Sequence, residues 1–298
     1  MSYFQVTIDV DAGGAARLES CLENLGALSV TLSDRGDEPI LEPAAGETPL
    51  WSRMRAVALF DGAEHQPEAV RSALRRTLGW REVPGWQVEA LPERVWERAW
   101  LDDFRPMRFG ERLWVSPTTA EPPDDPGAVI LRLDPGLAFG TGTHPTTALC
   151  LEWLDGLSLE GCTVIDYGCG SGILAVAALK LGAAHCLAVD NDPQALRATR
   201  ENAERNGVAD RLTVRHSTDA AAEPASVLVA NILSGTLCSL APTLCRALAP
   251  GGVIALSGIL EQQVEEVAAV YRPCCELSPP RRREGWTLLH GRRRDLPA

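Results

Sequence analysis

An acid, three glycines and a second acid follow one another at a spacing that suits a nucleotide-like ligand. The segment 166–172, DYGCGSG, directly follows the apolar run 163–165, and Asp190 ends the next apolar run, 22 residues after Gly168. Glycines let the backbone approach a ligand, the following helix offers unpaired amides, and the second acid can accept ribose hydroxyls. The glycines are also compatible with a plain strand-to-helix turn, but the complete pattern favours an adenosine-containing cofactor.

The position of Asp166 distinguishes between cofactors. A dinucleotide loop reads G-x-G-x-x-G and binds a pyrophosphate, whereas this loop reads D-x-G-x-G-x-G. A carboxylate here would repel a pyrophosphate and attract the sulfonium and amino groups of S-adenosylmethionine. We therefore expect S-adenosylmethionine as the cofactor. The candidate binding residues of this segment and of the next strand are Asp166, Gly168, Gly170 and Asp190.

A second glycine-rich segment, 133–147, lies upstream of the cofactor loop and reads LDPGLAFGTGTHPTT. Thr143 followed by Pro145 predicts the start of a helix that runs to about Leu154. We expect the preceding loop to close over the cofactor as a lid, although a structural turn with a capping threonine is the alternative. The candidate contacts are Phe139, which would exclude water, Gly140, and Thr147, which offers a hydroxyl. His144 is expected to be a hydrogen-bonded structural residue rather than a general base.

The pattern of apolar runs predicts two domains. Residues 131–298 alternate short apolar strands with helices, which indicates an α/β fold with a seven-stranded, mostly parallel, doubly wound (Rossmann-like) sheet. Residues 1–93 read β-α-β-β-α-β, an order that suggests a small α+β ferredoxin-like domain for substrate recognition. Residues 94–130 are assigned to a connecting helix, over 94–104, and a linker.

The distribution of charge indicates which class of macromolecule is the partner. The net charge is −12, and residues 1–93 hold 15 acids against 8 bases. This acidity favours a basic protein partner over direct, specific contact with nucleic acid, although acidity can also serve solubility alone. The arginine triplets 281–283 and 292–294 could contact ribosomal RNA, but because they flank a last strand they are interpreted as a solvated turn and tail.

Neither the cysteines nor the apolar runs indicate a metal site or a membrane span. The nine cysteines are scattered without metal-binding spacing, so we expect no metal and buried, reduced thiols, with the neighbours Cys274 and Cys275 poorly placed to bridge. No apolar run approaches bilayer length, and residues 1–5 lack the layout of a signal peptide. A cytoplasmic monomer is therefore expected.

Four segments together carry a family resemblance: 133–147, 166–172, Asp190 and 229–233, which reads VANIL. They closely resemble the bacterial ribosomal protein L11 methyltransferases, the PrmA type, within the seven-stranded class I S-adenosylmethionine-dependent methyltransferases. The resemblance extends over essentially the whole chain, and its most specific part is the segment 139–147, FGTGTHPTT. It implies methylation of lysine side chains and the N-terminal α-amine of a basic large-subunit ribosomal protein. The cofactor contacts that it implies are Thr147, Gly168, Asp190 and Asn231.

Asn231 is the candidate catalytic residue. Amine methyltransferases often have Asn-Pro-Pro-Tyr at the end of the fourth strand, and here Asn231 is followed by Ile-Leu-Ser. The side-chain oxygen of Asn231 and the carbonyl of Ile232 could accept the hydrogens of an amine and orient its lone pair. Two alternatives remain open from the sequence: methylation of rRNA or of another protein, and a non-catalytic cofactor-binding module.

Overall fold

The computed structural model describes residues 3–36, 50–91, 105–121, 123–134, 142–219 and 223–295. The chain divides into two compact units, Met1–Trp96 and Glu97–Ala298. Two predictions lie outside the described residues: the connecting helix over 94–104, and Phe139 and Gly140 of the lid loop. In the part of the chain that is described, no helix is both long and apolar enough to cross a membrane.

The first unit is a four-stranded antiparallel sheet with two helices. Its elements are β1 (Tyr3–Asp11), α1 (Ala15–Asn24), β2 (Ser29–Asp34), β3 (Arg53–Asp61), α2 (Pro67–Leu78) and β4 (Gln87–Leu91), and the strand order is β2-β3-β1-β4. Alternate residues of β1 and β3 are buried, as period-two patterning requires, and they pack with the apolar faces of the helices. The element order β-α-β-β-α-β is the one expected from the sequence.

A small sheet at the start of the second unit occupies part of the predicted linker. Its strands are β5 (Met107–Phe109), β6 (Leu113–Ser116) and β7 (Val129–Arg132). Buried Asp155 anchors this sheet, since its carboxylate accepts the backbone N–H of Glu111 at 2.6 Å. Leu113 and Leu131 are fully buried in the core of the second unit. Part of the linker predicted over 94–130 therefore forms a sheet instead. The sequence did not reveal this sheet, because strands of three or four residues leave almost no periodic signal.

The main sheet of the second unit has eight strands rather than the seven expected. The strands are β8 (Thr163–Tyr167), β9 (His185–Asp190), β10 (Leu212–His216), β11 (Ala225–Asn231), β12 (Leu248–Leu260), β13 (Cys275–Leu277), β14 (Arg281–Arg283) and β15 (Trp286–Arg293), in the order β10-β9-β8-β11-β12-β15-β13, with β14 also pairing with β15. The first five strands of this order are parallel, and β13, β14 and β15 are antiparallel. The fold is an α/β fold with a mixed sheet.

The described residues of this unit include five α-helices: α3 (Pro145–Asp155), α4 (Ile173–Lys180), α5 (Pro193–Arg205), α6 (Ser234–Ala247) and α7 (Val264–Tyr271). Separate apolar clusters cover the two faces of the sheet, one including α3 and α4 and the other α6 and α7. The parallel strands are therefore buried on both sides, which accounts for their continuous apolar runs. Because β8, β9, β10 and β11 are parallel, their carboxyl ends lie at the same edge of the sheet.

The interpretation of the first arginine triplet as a solvated turn is wrong. Arg281–Arg283 form β14 and pair with β15 across a tight turn at Glu284 and Gly285, whose φ angles are 50° and 79°. Two consecutive residues with positive φ are typical of the type I′ turn of a two-residue hairpin. Arg283 also donates to the Glu152 carboxylate of α3 at 2.8 Å. The hairpin partner and this ion pair, rather than alternation in the triplet, keep it in a strand.

The expectation that all cysteines are reduced is wrong for one pair. Cys245 in the last turn of α6 and Cys274 after α7 form a disulfide, with Cα atoms 6.4 Å apart and a sequence separation of 29. Cys275 lies beside them, so that the three sulfurs are within 4.8 Å of one another, although two of them are used by the disulfide. The two helices bring these cysteines together in space, which sequence spacing alone does not reveal.

Candidate functional site

The cofactor loop is fixed to the end of β9. The backbone N–H groups of Gly168 and Cys169 both donate to the carbonyl of Val189, at 2.8 and 3.0 Å. Gly168, Gly170 and Gly172 have φ angles of 79°, 54° and 77°, a region that residues with a Cβ rarely adopt. The glycines are thus required by the turn from β8 into α4, and they leave the loop backbone open to a ligand.

Gly168 is also required by a close approach to the neighbouring strand end. A Cβ built on Gly168 would lie 2.1 Å from Cγ2 of Ile232. A Cβ on Gly258 would lie 2.3 Å from the carbonyl oxygen of Ile232. Ile232 is therefore packed between two glycines, and this packing fixes the backbone that carries Asn231.

Asp190 is placed where the predicted ribose acid should be. One of its oxygens accepts the N–H of Gly170 at 2.9 Å, and the other accepts the N–H of Asp192 at 3.0 Å. A carboxylate has about four lone-pair positions, so two backbone bonds leave capacity for the hydroxyls of a ligand. Asp190 and Gly168 line one cavity of about 400 Å³ at this edge of the sheet.

The same cavity has residues that the sequence prediction missed. Among them are Tyr167, Asn191, Ser217 and Thr218. A signal for Ser217 and Thr218 was present, because they directly follow the strand β10, whose carboxyl end must lie at the same edge as those of β8 and β9. Asn191 directly follows the predicted residue Asp190, and Ile232, whose carbonyl was a candidate acceptor, also lines the cavity.

Asp166 lies beneath the loop and is completely buried. One carboxylate oxygen accepts the N–H of Ala175 in α4 at 3.0 Å, and the other has no hydrogen-bond partner. Burial raises the pKa of Asp166, the bond from Ala175 opposes this shift and the charge of Asp190 adds to it, so that the pKa is about 7. A buried acid with an unsatisfied oxygen is stabilised by a nearby positive charge. This arrangement fits a cationic ligand and does not fit a pyrophosphate.

Asn231 and Thr147 are brought together although they are 84 residues apart. The side-chain amide of Asn231, at the end of β11, donates to the hydroxyl of Thr147, in the first turn of α3, at 3.2 Å. Thr147 is almost completely buried, and Asn231 is half-buried. The contact leaves the side-chain oxygen of Asn231 as an acceptor next to the glycine loop.

His144 is the N-cap residue of α3. Its Nδ1 lies 2.7 Å from the hydroxyl of Thr146 and accepts the N–H of Thr146 at 3.4 Å. Its ring packs edge-on against Trp286, with centroids 5.0 Å apart. Burial lowers the pKa of His144, an effect that the charge of Glu284 opposes. These contacts favour the structural role expected for His144, and the cap stands where Thr143 was predicted to begin the helix.

Five predicted site residues, Asp166, Gly168, Gly170, Asp190 and Asn231, lie at the ends of adjacent strands, and Thr147 joins them from α3. Their arrangement combines a glycine loop, a carboxylate held by two backbone N–H groups and an amide that donates to a threonine hydroxyl. This combination is the one expected of an enzyme that moves a group from a nucleoside cofactor to an amine.

Comparison with known proteins assigns this arrangement to a family. The family described as Ribosomal protein L11 methyltransferase (PrmA) matches residues 2–294. The chain belongs to this family. A relative of that name from Alkalilimnicola ehrlichii is 54% identical over 99% of this chain and 100% of its own length, and one from Hahella chejuensis is 53% identical over 98% and 99%.

A solved structure supports the fold of the family. The ribosomal protein L11 methylase from Lactobacillus delbrueckii subsp. bulgaricus has a TM-score of 0.59 and 32% identity to this chain, and the match covers 64% of this chain and 100% of that one. The resemblance seen in the glycine loop, the lid segment and the VANIL segment is thereby confirmed at the level of the family.

Proposed function

We propose that the protein transfers methyl groups from S-adenosylmethionine to lysine side chains and to the N-terminal α-amine of ribosomal protein L11. The observation that carries the proposal is the match to the family over residues 2–294, which includes both compact units. Methylation of rRNA or of a different protein is not favoured, because the relatives reported above are named for L11. The retained glycine loop, Asp190 and Asn231 speak against a non-catalytic module.

S-adenosylmethionine supplies an activated methyl group on a positively charged sulfur when it is bound. We assign its adenosine part to the cavity beside Gly168 and Asp190, where the acid can accept the ribose hydroxyls. The unsatisfied oxygen of Asp166 contributes a negative environment for its cationic end, and the N–H of Gly170 holds the carboxylate of Asp190 in place. Thr147 contributes from α3, and Phe139 and Gly140 complete the proposed set from the lid loop.

The acceptor amine must be neutral and aligned before it can react. With a reference pKa near 10.4, neutralising a lysine at pH 7 costs roughly 4.6 kcal/mol, whereas an α-amine near 7.7 costs about 1 kcal/mol. A nearby sulfonium and partial desolvation both lower the pKa of the amine, so a strong base is not required. The side-chain oxygen of Asn231, with its amide held by Thr147, can accept an amine hydrogen and aim the lone pair.

We assign presentation of the substrate to the ferredoxin-like domain, residues 1–93, and catalysis to the methyltransferase domain, residues 131–298, with residues 94–130 between them. The excess of acids in residues 1–93 supports a basic protein partner. We propose a monomer that acts in the cytoplasm without membrane or sequence-specific nucleic-acid contacts. The lysine specificity follows from the resemblance and is part of the same proposal.

Mass spectrometry tests the proposed function. Purified L11 and purified rRNA are incubated separately with the enzyme and S-adenosylmethionine that carries a labelled methyl group. We expect label on lysines and the α-amine of L11 and none on rRNA. Label on rRNA alone would contradict the proposal, and absence of cofactor binding in calorimetry would favour a non-catalytic module.

A further inference from the structure

Four arginines at the end of the chain form a surface that the proposed function does not use. We name this set, Arg281, Arg292, Arg293 and Arg294, the arginine rim. Arg281, Arg292 and Arg294 are exposed, and Arg293 is half-buried. No carboxylate of the described residues lies within 4.0 Å of their guanidinium nitrogens, in contrast to Arg283, which pairs with Glu152. The arginine rim is therefore a concentration of unneutralised positive charge on a protein whose net charge is −12.

The arginine rim is separated from the cofactor edge along the strands. Arg292 is opposite Val253 in β12, four residues before Ser257, which pairs with Asn231 at the cofactor edge. Since β15 runs antiparallel to β12, its last residues project at the amino-terminal edge of the parallel strands. A ligand held there can remain bound while the cofactor edge is occupied.

Backbone carbonyl groups hold three of the four guanidinium groups in place. Arg292 donates to the carbonyl of Gly251, and Arg293 donates to that of Leu248. Arg294 donates through Nε to the carbonyl of Arg272 at 3.3 Å. Each guanidinium has five N–H donors, so one such bond orders the side chain and leaves donors for a ligand. Ordered arginines lose less conformational entropy when they bind than free ones.

A cavity lies within the arginine rim. Arg281 and Arg292 line a cavity of about 560 Å³ together with His290, between β15 and the end of α3. Glu276 also lines the cavity and is opposite Arg292 in the sheet, but it forms no ion pair there within 4.0 Å. Two arginines that line one concave surface suit a phosphate group, because each planar guanidinium can donate two parallel hydrogen bonds to its oxygens.

We propose that the arginine rim binds the phosphodiester backbone of RNA without reading its bases. The choice of RNA over an acidic protein rests on the proposed function, since a ribosomal protein is the acceptor and RNA is the polyanion of the ribosome. The acidic remainder of the molecule repels RNA, so the arginine rim also determines the orientation in which RNA approaches. In that orientation the cofactor edge faces away from the RNA and is left accessible to the protein substrate.

The salt dependence of RNA binding tests this proposal. A short fluorescein-labelled single-stranded RNA is titrated with the full-length protein and with the triple variant Arg281→Gln, Arg292→Gln, Arg294→Gln, and binding is followed by fluorescence anisotropy. We expect the variant to bind at least tenfold more weakly at low salt. The slope of log K against log salt should become less steep by about 2, since each phosphate contact to a single strand contributes about 0.7.

A matched control removes the same charge elsewhere. The variant Arg75→Gln, Arg76→Gln, Arg81→Gln alters three exposed arginines of the first unit. We expect the control to bind RNA as the parent does, and the triple variant of the arginine rim to methylate L11 at the parental rate. Equal RNA binding by the parent and the triple variant, or equal weakening in the control, would overturn the proposal.

A competitor separates RNA from acidic protein as the partner. Polyglutamate that displaces the RNA as well as unlabelled RNA does, at equal charge, would also overturn the choice of RNA. Loss of L11 methylation in the parent protein would instead contradict the proposed function, so the two failures are distinguishable.

Discussion

At the scale of single residues, the orientation of Asn231 is set by a second side chain. Its amide nitrogen donates to Thr147, and its oxygen is therefore directed away from α3. We predict that Asn231→Ala lowers kcat for L11 methylation by about 100-fold, the loss expected when a reacting group is misaligned. The affinity for S-adenosylmethionine should change much less, because the loop and Asp190 remain intact. Steady-state kinetics and calorimetry measure the two quantities, and equal transfer rates in mutant and parent would contradict the role.

Asp166 leads to a prediction about pH. Burial raises its pKa to about 7, and one of its oxygens is unsatisfied. A bound cation favours the ionised form and lowers that pKa, so the complex holds fewer protons than the free protein. Affinity for S-adenosylmethionine should therefore increase as pH rises towards 7, by a factor that approaches tenfold per pH unit, and level off above it.

Calorimetry at several pH values measures this dependence. S-adenosylhomocysteine, which lacks the sulfonium charge, should show a weaker slope. The variant Asp166→Asn should show none, because it has no proton to release. A parental affinity that is constant between pH 5 and pH 8, a range of roughly 2 units below and 1 above the pKa, would contradict the prediction.

At the scale of elements, the glycine loop depends on the absence of one methyl group. A Cβ at Gly168 would meet Ile232 at 2.1 Å, whereas a Cβ at Gly161, whose φ is similar at 71°, meets nothing within 4 Å. We predict that Gly168→Ala weakens cofactor binding at least tenfold. Gly161→Ala is the matched control: it should cost roughly 1 kcal/mol of unfolding free energy through backbone strain and leave cofactor affinity unchanged. Equal affinity in the two variants would argue against the close approach.

The disulfide joins the end of α6 to the turn before β13. Closing a loop of 29 residues should stabilise the folded state by about 3.6 kcal/mol, chiefly by restricting the unfolded chain. We predict that a reducing agent lowers the unfolding free energy of the parent by this amount in urea titrations. Cys274→Ser should be insensitive to the reducing agent, and Cys275→Ser should respond as the parent does. No effect of reduction on the parent would show that the bond does not form.

The elements could be predicted where local signals agree. The helix Pro67–Leu78 has such signals at both ends, because a proline begins it and Gly79, with a φ of 71°, ends it. The strand β14 was missed because three arginines show no apolar alternation and the pairing partner lies across a turn. The site residues were predicted one by one, because sequence patterns are local. The contact between Asn231 and Thr147, which are 84 residues apart, depends on tertiary structure and could not be predicted. The lid contacts at Phe139 and Gly140 remain predictions.

At the scale of the whole molecule, charge should govern recognition of the substrate. Residues 1–93 have seven more acids than bases (15 against 8), and the proposed partner is basic. Raising the salt concentration above about 0.1 M shortens the Debye length below about 10 Å and weakens such attraction. We predict that KM for L11 rises several-fold with added salt while KM for S-adenosylmethionine changes little. Steady-state kinetics at several salt concentrations measure both, and a parallel rise of the two constants would contradict this role of charge.

The position of Ile232 between Gly168 and Gly258 limits how this enzyme can acquire a new acceptor. A larger residue at either glycine would collide with Ile232, so no single substitution there can widen or reshape the pocket. Leu233, the next residue, is 57% exposed and has no such constraint. Directed evolution towards other amines should therefore accumulate changes at Leu233 and spare Ile232 and the two glycines.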